Sequence, residues 1–103
     1  MEPLHPLYHH YLEVLDVAFQ PIVDIHSGVT FGVEALLRGT DTLGYESIFS
    51  FFDRLYEENI LYTFDVLLRK KVIDKFCMIE GHEKLKLFYN LDNRVLEMTY
   101  FSK

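Results

Sequence analysis

Four polar side chains lie in or at the ends of strand-like stretches and have the chemistry to bind a metal ion or a phosphate. Glu34 closes an alternating apolar stretch, and its carboxylate is a hard oxygen ligand for a divalent cation. Arg38 follows at once after Ala-Leu-Leu, and its planar guanidinium suits a phosphate. Asn90 closes another stretch and offers an amide oxygen suited to Mg²⁺ or Mn²⁺. Gln20 precedes a proline in a third stretch, where its amide could hydrogen-bond a base or a phosphate.

Each of these four residues also has an ordinary structural interpretation. Glu34 could cap a turn while Arg38 is simply solvated. Asn90 could begin a turn with the Asp and Asn that follow it closely, since these residue types favour turns. Gln20 could be exposed or bonded at a sheet edge. Taken one residue at a time, the spacing favours these structural interpretations.

Two further features carry weaker chemical signals. His9 and Glu13 would share a helical face at four-residue spacing, a geometry that suits a transition metal, but no second set of ligands is evident in the sequence. Cys77 ends a predicted helix among apolar residues, which favours a buried, unreactive thiol. As a single cysteine it has no internal disulfide partner, and this is typical of a reducing, cytosolic setting.

The elements that would position these residues follow the order hairpin, two helices, strand. This order favours an α/β or α+β fold. A polar lead-in of residues 1–16 with a short helix after Pro6 precedes them. We predict strands at Val17–Asp24 and Val29–Glu34 around a turn at Gly28, helices at Tyr45–Tyr56 and Leu61–Phe76, and a strand at Lys84–Asn90.

Apolar periodicity supports both long helices. In the second helix, apolar residues recur every three to four positions, and Asp65 and Arg69 are spaced to pair on its surface for a few tenths of a kcal/mol. In the first helix, the predicted apolar positions are Ile48, Phe49, Phe52, Leu55 and Tyr56.

Composition and charge exclude several classes of function. Half of the 103 residues are hydrophobic and 16% are aromatic, enough for a core and against disorder. The net charge of −6 argues against a nucleic-acid polymer as partner, because backbone binding needs clustered Lys and Arg. No apolar run approaches the ~20 residues of a membrane span, and no signal peptide is visible. We therefore expect a cytoplasmic protein with no membrane segment.

Together the motifs resemble the opening of an EAL domain. The string Phe-Gln-Pro-Ile-Val-Asp at 19–24 is followed by a Ser-Gly turn, by Gly32 and by Glu-Ala-Leu-Leu-Arg at 34–38. Two helices come next, and then Phe-Tyr-Asn-Leu-Asp at 88–92. The resemblance covers about Val17 to Met98. The triplet Glu-Ala-Leu alone would mean little, but its combination with the other motifs in this order is specific.

The resemblance implies a fold and an activity. EAL domains are modified (β/α)₈ barrels in which one strand runs against the others, and such barrels take roughly 250 residues. Residues 17–103 would therefore be the first third of such a barrel. The family hydrolyses cyclic di-GMP to the linear dinucleotide with two Mg²⁺ or Mn²⁺ ions. By this resemblance, Glu34 and Asn90 are metal ligands, and Gln20 and Arg38 contact the bound dinucleotide.

Most of the family's catalytic residues would lie beyond Lys103, namely a further Glu, paired Asp residues, a Lys and a final Glu. Glu34 and Asn90 supply one formal negative charge between them, too little for two divalent ions. We therefore expect this polypeptide alone not to hydrolyse cyclic di-GMP, whereas a complete domain would.

An alternative is a catalytically inactive module that binds cyclic di-GMP or a protein, with self-association or homodimerisation through an exposed sheet edge. A second alternative is an α/β piece without activity of its own.

Overall fold

A computed structural model describes residues 4–90. The second long helix has the predicted bounds, and the other elements shift by up to four residues at their ends. The elements are α1 (Pro6–Val14), β1 (Asp16–Val23), β2 (Thr30–Arg38), α2 (Ile48–Glu57), α3 (Leu61–Phe76), a 3₁₀ turn (His82–Lys84) and β3 (Lys86–Tyr89). The predicted α/β class is confirmed at this level, as three helices with a three-stranded sheet. The turn suggested after Asn90, and the resemblance as far as Met98, extend outside the described residues.

The sheet is mixed, with strand order β1-β2-β3. β1 and β2 form an antiparallel hairpin in which Gln20 lies opposite Glu34. β2 and β3 are parallel, with Glu34 beside Phe88, and α2 and α3 make the crossover that parallel neighbours require. The carboxyl ends of β2 and β3 therefore lie at the same edge of the sheet.

One face of the sheet packs on α3. The sheet residues of this face alternate along the strands, and Val72 of α3 is buried against them. The residues of this layer are Val17, Ala35 and Val72, with Phe19, Leu37, Leu87 and Tyr89 packed around them. On the opposite face, Ala18, Gln20 and Phe88 are exposed.

The buried face of α2 differs from the predicted one. Phe51 and Leu55 are fully buried, whereas Phe49 is 81% exposed and Tyr56 43% exposed. Six of its ten positions are apolar and form one broad side of the helix, and the helix packs through the part of that side that carries Phe51 and Leu55. The helix also begins later than predicted, because Ser47 forms a capping box with Ser50.

The lead-in helix α1 packs against the core of the domain. Leu4, Tyr8 and Leu15 belong to the same buried cluster as Phe51 and Phe64. The ammonium group of Lys71 on α3 donates to three carbonyl oxygens at the end of α1, those of Leu12 (2.6 Å), Glu13 (3.4 Å) and Leu15 (2.5 Å). These carbonyls have no partner inside the helix, so a cation from α3 satisfies them.

Lys75, one turn further along α3, holds the start of β1. Its ammonium group donates to the side chain of Asp16 at 2.8 Å and to the carbonyl oxygen of Val17 at 2.7 Å. The hydrogen bond from Lys75, with one from the backbone of Val17, holds the pKa of Asp16 below its usual range.

The prediction that Cys77 is buried is wrong, because its side chain is exposed. The buried line of α3 runs through Leu68, Val72 and Phe76, and Cys77 lies one position further round the helix, about 100° from that line. A free thiol at the end of α3 is therefore open to solvent.

Candidate functional site

Glu34 and Asn90 meet close to where the pairing of the two parallel strands ends, at Ala35 and Tyr89. The prediction that Glu34 closes its strand is wrong, because β2 continues to Arg38. The side-chain amide nitrogen of Asn90 donates a hydrogen bond of 3.1 Å to Oε2 of Glu34. Glu34 is half-buried and Asn90 is exposed, so the pair is open to solvent. The two residues predicted to be metal ligands are 56 positions apart in the chain and in direct contact in the fold.

The other two predicted site residues lie at different distances from this pair. Gln20 is the cross-strand partner of Glu34, and directly opposed residues of an antiparallel pair share a face. Arg38 is four residues beyond Glu34 on β2, a separation of about 13 Å along the strand. Gln20, Glu34 and Asn90 are thus brought together, and Arg38 lies further along the same edge.

Arg38 lies at the mouth of a cavity of about 160 Å³. The cavity lies between the sheet and the two long helices, and most of its lining is apolar. Its lining residues are Val17, Ala35, Leu36, Leu37, Arg38, Ile48, Phe52, Leu68, Tyr89 and Asn90. The guanidinium of Arg38 donates to the carbonyl oxygen of Leu37 at 3.1 Å and, within residues 4–90, forms no ion pair.

Glu34 and Asn90 have donor atoms that suit a hard divalent cation, but too few of them. The hydrogen bond between the two residues uses Oε2 of Glu34 and the amide nitrogen of Asn90, which leaves Oε1 and the amide oxygen for other ligands. In the described part of the chain, no group of three or more His, Cys, Asp or Glu side chains is arranged to hold a metal ion. The weakly signalled His9–Glu13 spacing accordingly forms no such group.

A buried network behind Asn90 is the feature that the sequence did not reveal. The predicted ion pair between Asp65 and Arg69 forms. It does not lie on the helix surface as predicted, because the Asp65 side chain on α3 is only 1% exposed. Its second carboxylate oxygen accepts a hydrogen bond of 3.0 Å from the hydroxyl of Tyr89, the residue before Asn90. Burial, together with the neighbouring carboxylate, raises the pKa of the Tyr89 phenol well above its usual range. The sequence did contain one signal of this network, because Asp65 places a carboxylate on the otherwise apolar face of α3.

Comparisons of the chain with protein-family models, with curated proteins and with solved structures give no match. The arrangement of Gln20, Glu34, Arg38 and Asn90 therefore has to be interpreted from its own geometry and from the sequence motifs that contain it. Within residues 4–90, every helix is too short or too polar to span a lipid bilayer.

Proposed function

We propose that this chain is the first third of an EAL-type (β/α)₈ barrel and that the complete domain is a cytoplasmic cyclic-di-GMP phosphodiesterase. In this proposal Glu34 and Asn90 are ligands of Mg²⁺ or Mn²⁺, and Gln20 and Arg38 contact the dinucleotide. The observation that carries the proposal is the 3.1 Å contact between Glu34 and Asn90 close to the carboxyl end of the paired stretch of two adjacent parallel strands. In (β/α)₈ barrels this end of the strands is where active sites are built.

The strand directions also support the proposal. β1 runs antiparallel to β2, and β3 runs parallel to it. The family barrel likewise has one strand that runs against the others. The remaining strands of such a barrel would add to the outer side of β3, which within the described residues has β2 as its one neighbour.

Each proposed residue has a distinct task in such a site. Glu34 and Asn90 would hold the metal through oxygen, and Gln20, opposite Glu34, would hydrogen-bond the substrate on the same face of the sheet. Arg38, without an acidic partner in the described chain, neutralises a phosphate about 13 Å further along the strand and so holds the dinucleotide in register. Metal ions bound in the complete site would supply an activated water and stabilisation of the attacking and leaving oxygens of an in-line displacement.

A nuclear magnetic resonance titration with Mn²⁺ tests the metal assignment on the 103-residue chain itself. Two ligands hold an ion only weakly, so paramagnetic broadening by Mn²⁺ at millimolar concentration is expected at the side-chain amide of Asn90 and at the backbone of Glu34, and the Glu34→Gln variant should lose it. Glu57→Gln is the matched control, because Glu57 is an exposed carboxylate on α2 away from the sheet. Broadening that is equal in all three proteins would remove the metal assignment.

The reaction itself is tested by the gene and by an assay. The proposal expects the reading frame to continue past the codon for Lys103 with acidic strand-end residues and a late lysine. The encoded full-length protein should then hydrolyse cyclic di-GMP, and its Glu34→Gln variant should not. A stop codon directly after Lys103 would exclude hydrolysis by this chain on ligand count.

One observation favours the alternative of a binding or self-association module. Large apolar side chains are exposed around the hairpin and the adjacent edge strand: Val23 (50%), Ile25 (89%), Val29 (61%), Phe31 (40%) and Phe88 (42%). Exposed apolar patches of this kind favour an interface. Sedimentation of the 103-residue chain tests this alternative, which expects a concentration-dependent dimer that is weakened by Ile25→Ser.

A further inference from the structure

Asp65 is a carboxylate in a place where a helix normally puts an apolar residue. It is 1% exposed and lies on the buried face of α3, between Leu61 and Leu68. Removing a charged carboxylate from water is strongly unfavourable unless it is paired and hydrogen-bonded. Arg69, one turn later and half-exposed, supplies the charge that pairs with it.

The pair with Arg69 alone does not require burial, as a second pair on the same helix demonstrates. Lys70 and Asp74 have the same i,i+4 spacing and a 2.8 Å contact, yet both side chains remain largely in solvent. Asp65 differs because its other oxygen accepts the hydroxyl of Tyr89 from the edge strand β3. The guanidinium of Arg69 also lies over the ring of Tyr89, 5.7 Å from its centre.

Tyr89 directly precedes Asn90, and successive side chains of a strand point to opposite faces. Tyr89 packs towards α3, and Asn90 contacts Glu34 on the other side of the chain. The contacts therefore run without interruption from Asp65 to Tyr89 and, through one peptide unit, to Asn90 and Glu34. β3 is only four residues long and has β2 as its single strand neighbour in the described sheet, so its end has few other anchors.

We infer that Asp65 is a positioning residue of the Glu34–Asn90 site. By accepting a hydrogen bond from the hydroxyl of Tyr89, it anchors the end of β3 and so fixes the position of Asn90 beside Glu34. The metal-binding role of the positioned site rests on the proposed function, whereas the contacts from Asp65 to Asn90 do not. It assigns a role to a buried carboxylate that touches neither metal nor substrate.

The experiment compares three variants of the 103-residue chain by nuclear magnetic resonance. Tyr89→Phe removes one hydroxyl and keeps the ring, Asp65→Leu removes the acceptor, and Asp65→Asn keeps an oxygen that can accept from Tyr89. The first readout is the pair of Asn90 amide-proton signals without metal. The second readout is the Mn²⁺ concentration that broadens these signals by half. Asp74→Asn is the matched control on the same helix.

Tyr89→Phe and Asp65→Leu should shift the Asn90 signals towards those of a free amide and raise the half-broadening Mn²⁺ concentration about tenfold, as the loss of one hydrogen bond to a charged carboxylate predicts. Asp65→Asn should restore most of the wild-type pattern, and Asp74→Asn should leave it unchanged.

Unchanged Asn90 signals in Tyr89→Phe, with the strand amides intact, would overturn the inference. A second outcome separates the positioning role from the metal site. If the variants shift the Asn90 signals as expected but Mn²⁺ broadens no signals in the wild-type protein, the positioning role is supported and the metal site is refuted.

Discussion

Replacing Gly32 by alanine should separate β2 from β3 and disturb the Glu34–Asn90 contact. A Cβ at Gly32 would lie 2.8 Å from the backbone oxygen of Lys86 and 2.9 Å from a ring carbon of Phe88. Ordinary contact begins at 3.4 Å, so one strand must move by about 0.6 Å. The ring of Phe88 can rotate away, but the Lys86 oxygen belongs to the backbone of β3 and can move only with the strand.

The magnitude follows from overpacking. Forcing an extra carbon into a filled site destabilises a protein by about 1 to 3 kcal/mol. For a domain of this length, that corresponds to a fall of about 5 to 20 °C in melting temperature. Gly32 has no positive φ, so the whole effect would come from the contact and none from backbone conformation.

Thermal melting and amide hydrogen exchange together test this reasoning. Gly28→Ala is the control, because a Cβ there meets nothing within 4 Å but must adopt a positive φ of 72°. Its cost of about 1 to 2 kcal/mol comes from the turn alone. Faster exchange of the β3 amides should therefore appear in Gly32→Ala and not in Gly28→Ala. A Gly32→Ala protein that melts like the wild type, with protected β3 amides, would refute the close approach.

Three other predictions concern the charged and phenolic groups. Lys71→Met should lower the free energy of unfolding in urea by about 2 to 3 kcal/mol, since charged hydrogen bonds to the end of α1 are lost. The exposed neighbour variant Lys70→Met should change it by less than about 0.5 kcal/mol, and equal losses would contradict the capping role. Burial raises the pKa of Tyr45 from 10.0 to about 12, so stability should fall as pH rises from 10 to 12. The melting temperature of Tyr45→Phe should depend less on pH over that range than the melting temperature of the wild type. An equal dependence in both proteins would contradict this prediction. The lowered pKa of Asp16 contributes stability above pH 3.8 that is lost as pH falls further. Because Asp16→Asn removes the carboxylate that Lys75 binds, its stability should fall less steeply with acid than that of the wild type, and equally steep acid unfolding of both proteins would contradict this role.

Regular local patterns made α3 predictable. Its apolar residues recur every three to four positions, and all of those predicted to face the core are buried. The buried face of α2 was not predictable in the same way, because its six apolar residues form a side of the helix that is broader than the part that packs against the core. Its orientation depends on Phe51 packing against Tyr45 and Phe64, and Phe64 belongs to another helix.

The parts of the site that depend on distant partners were not predictable from spacing. The sequence pattern predicts that Asn90 follows a strand, which is confirmed, and that Glu34 ends one, whereas Glu34 lies within β2. Their contact depends on the parallel register of β2 and β3. The sequence predicts Asp65 as one member of a surface ion pair. The structure adds a second partner, Tyr89, which is 24 residues away in the chain. A local pattern carries no information about such a partner.

The anchoring of α1 by Lys71 has a consequence for the order in which the chain can fold during synthesis. The contacts from Lys71 to the end of α1 join residues 56 to 59 positions apart. A ribosome needs about 3 to 12 s to add that many residues. For most of that interval Leu4 and Tyr8, which are buried in the finished fold, lack the α3 members of their cluster, Leu61, Phe64 and Leu68. The helix α1 is therefore made before α2 and α3 but reaches its final contacts only after α3 has been made.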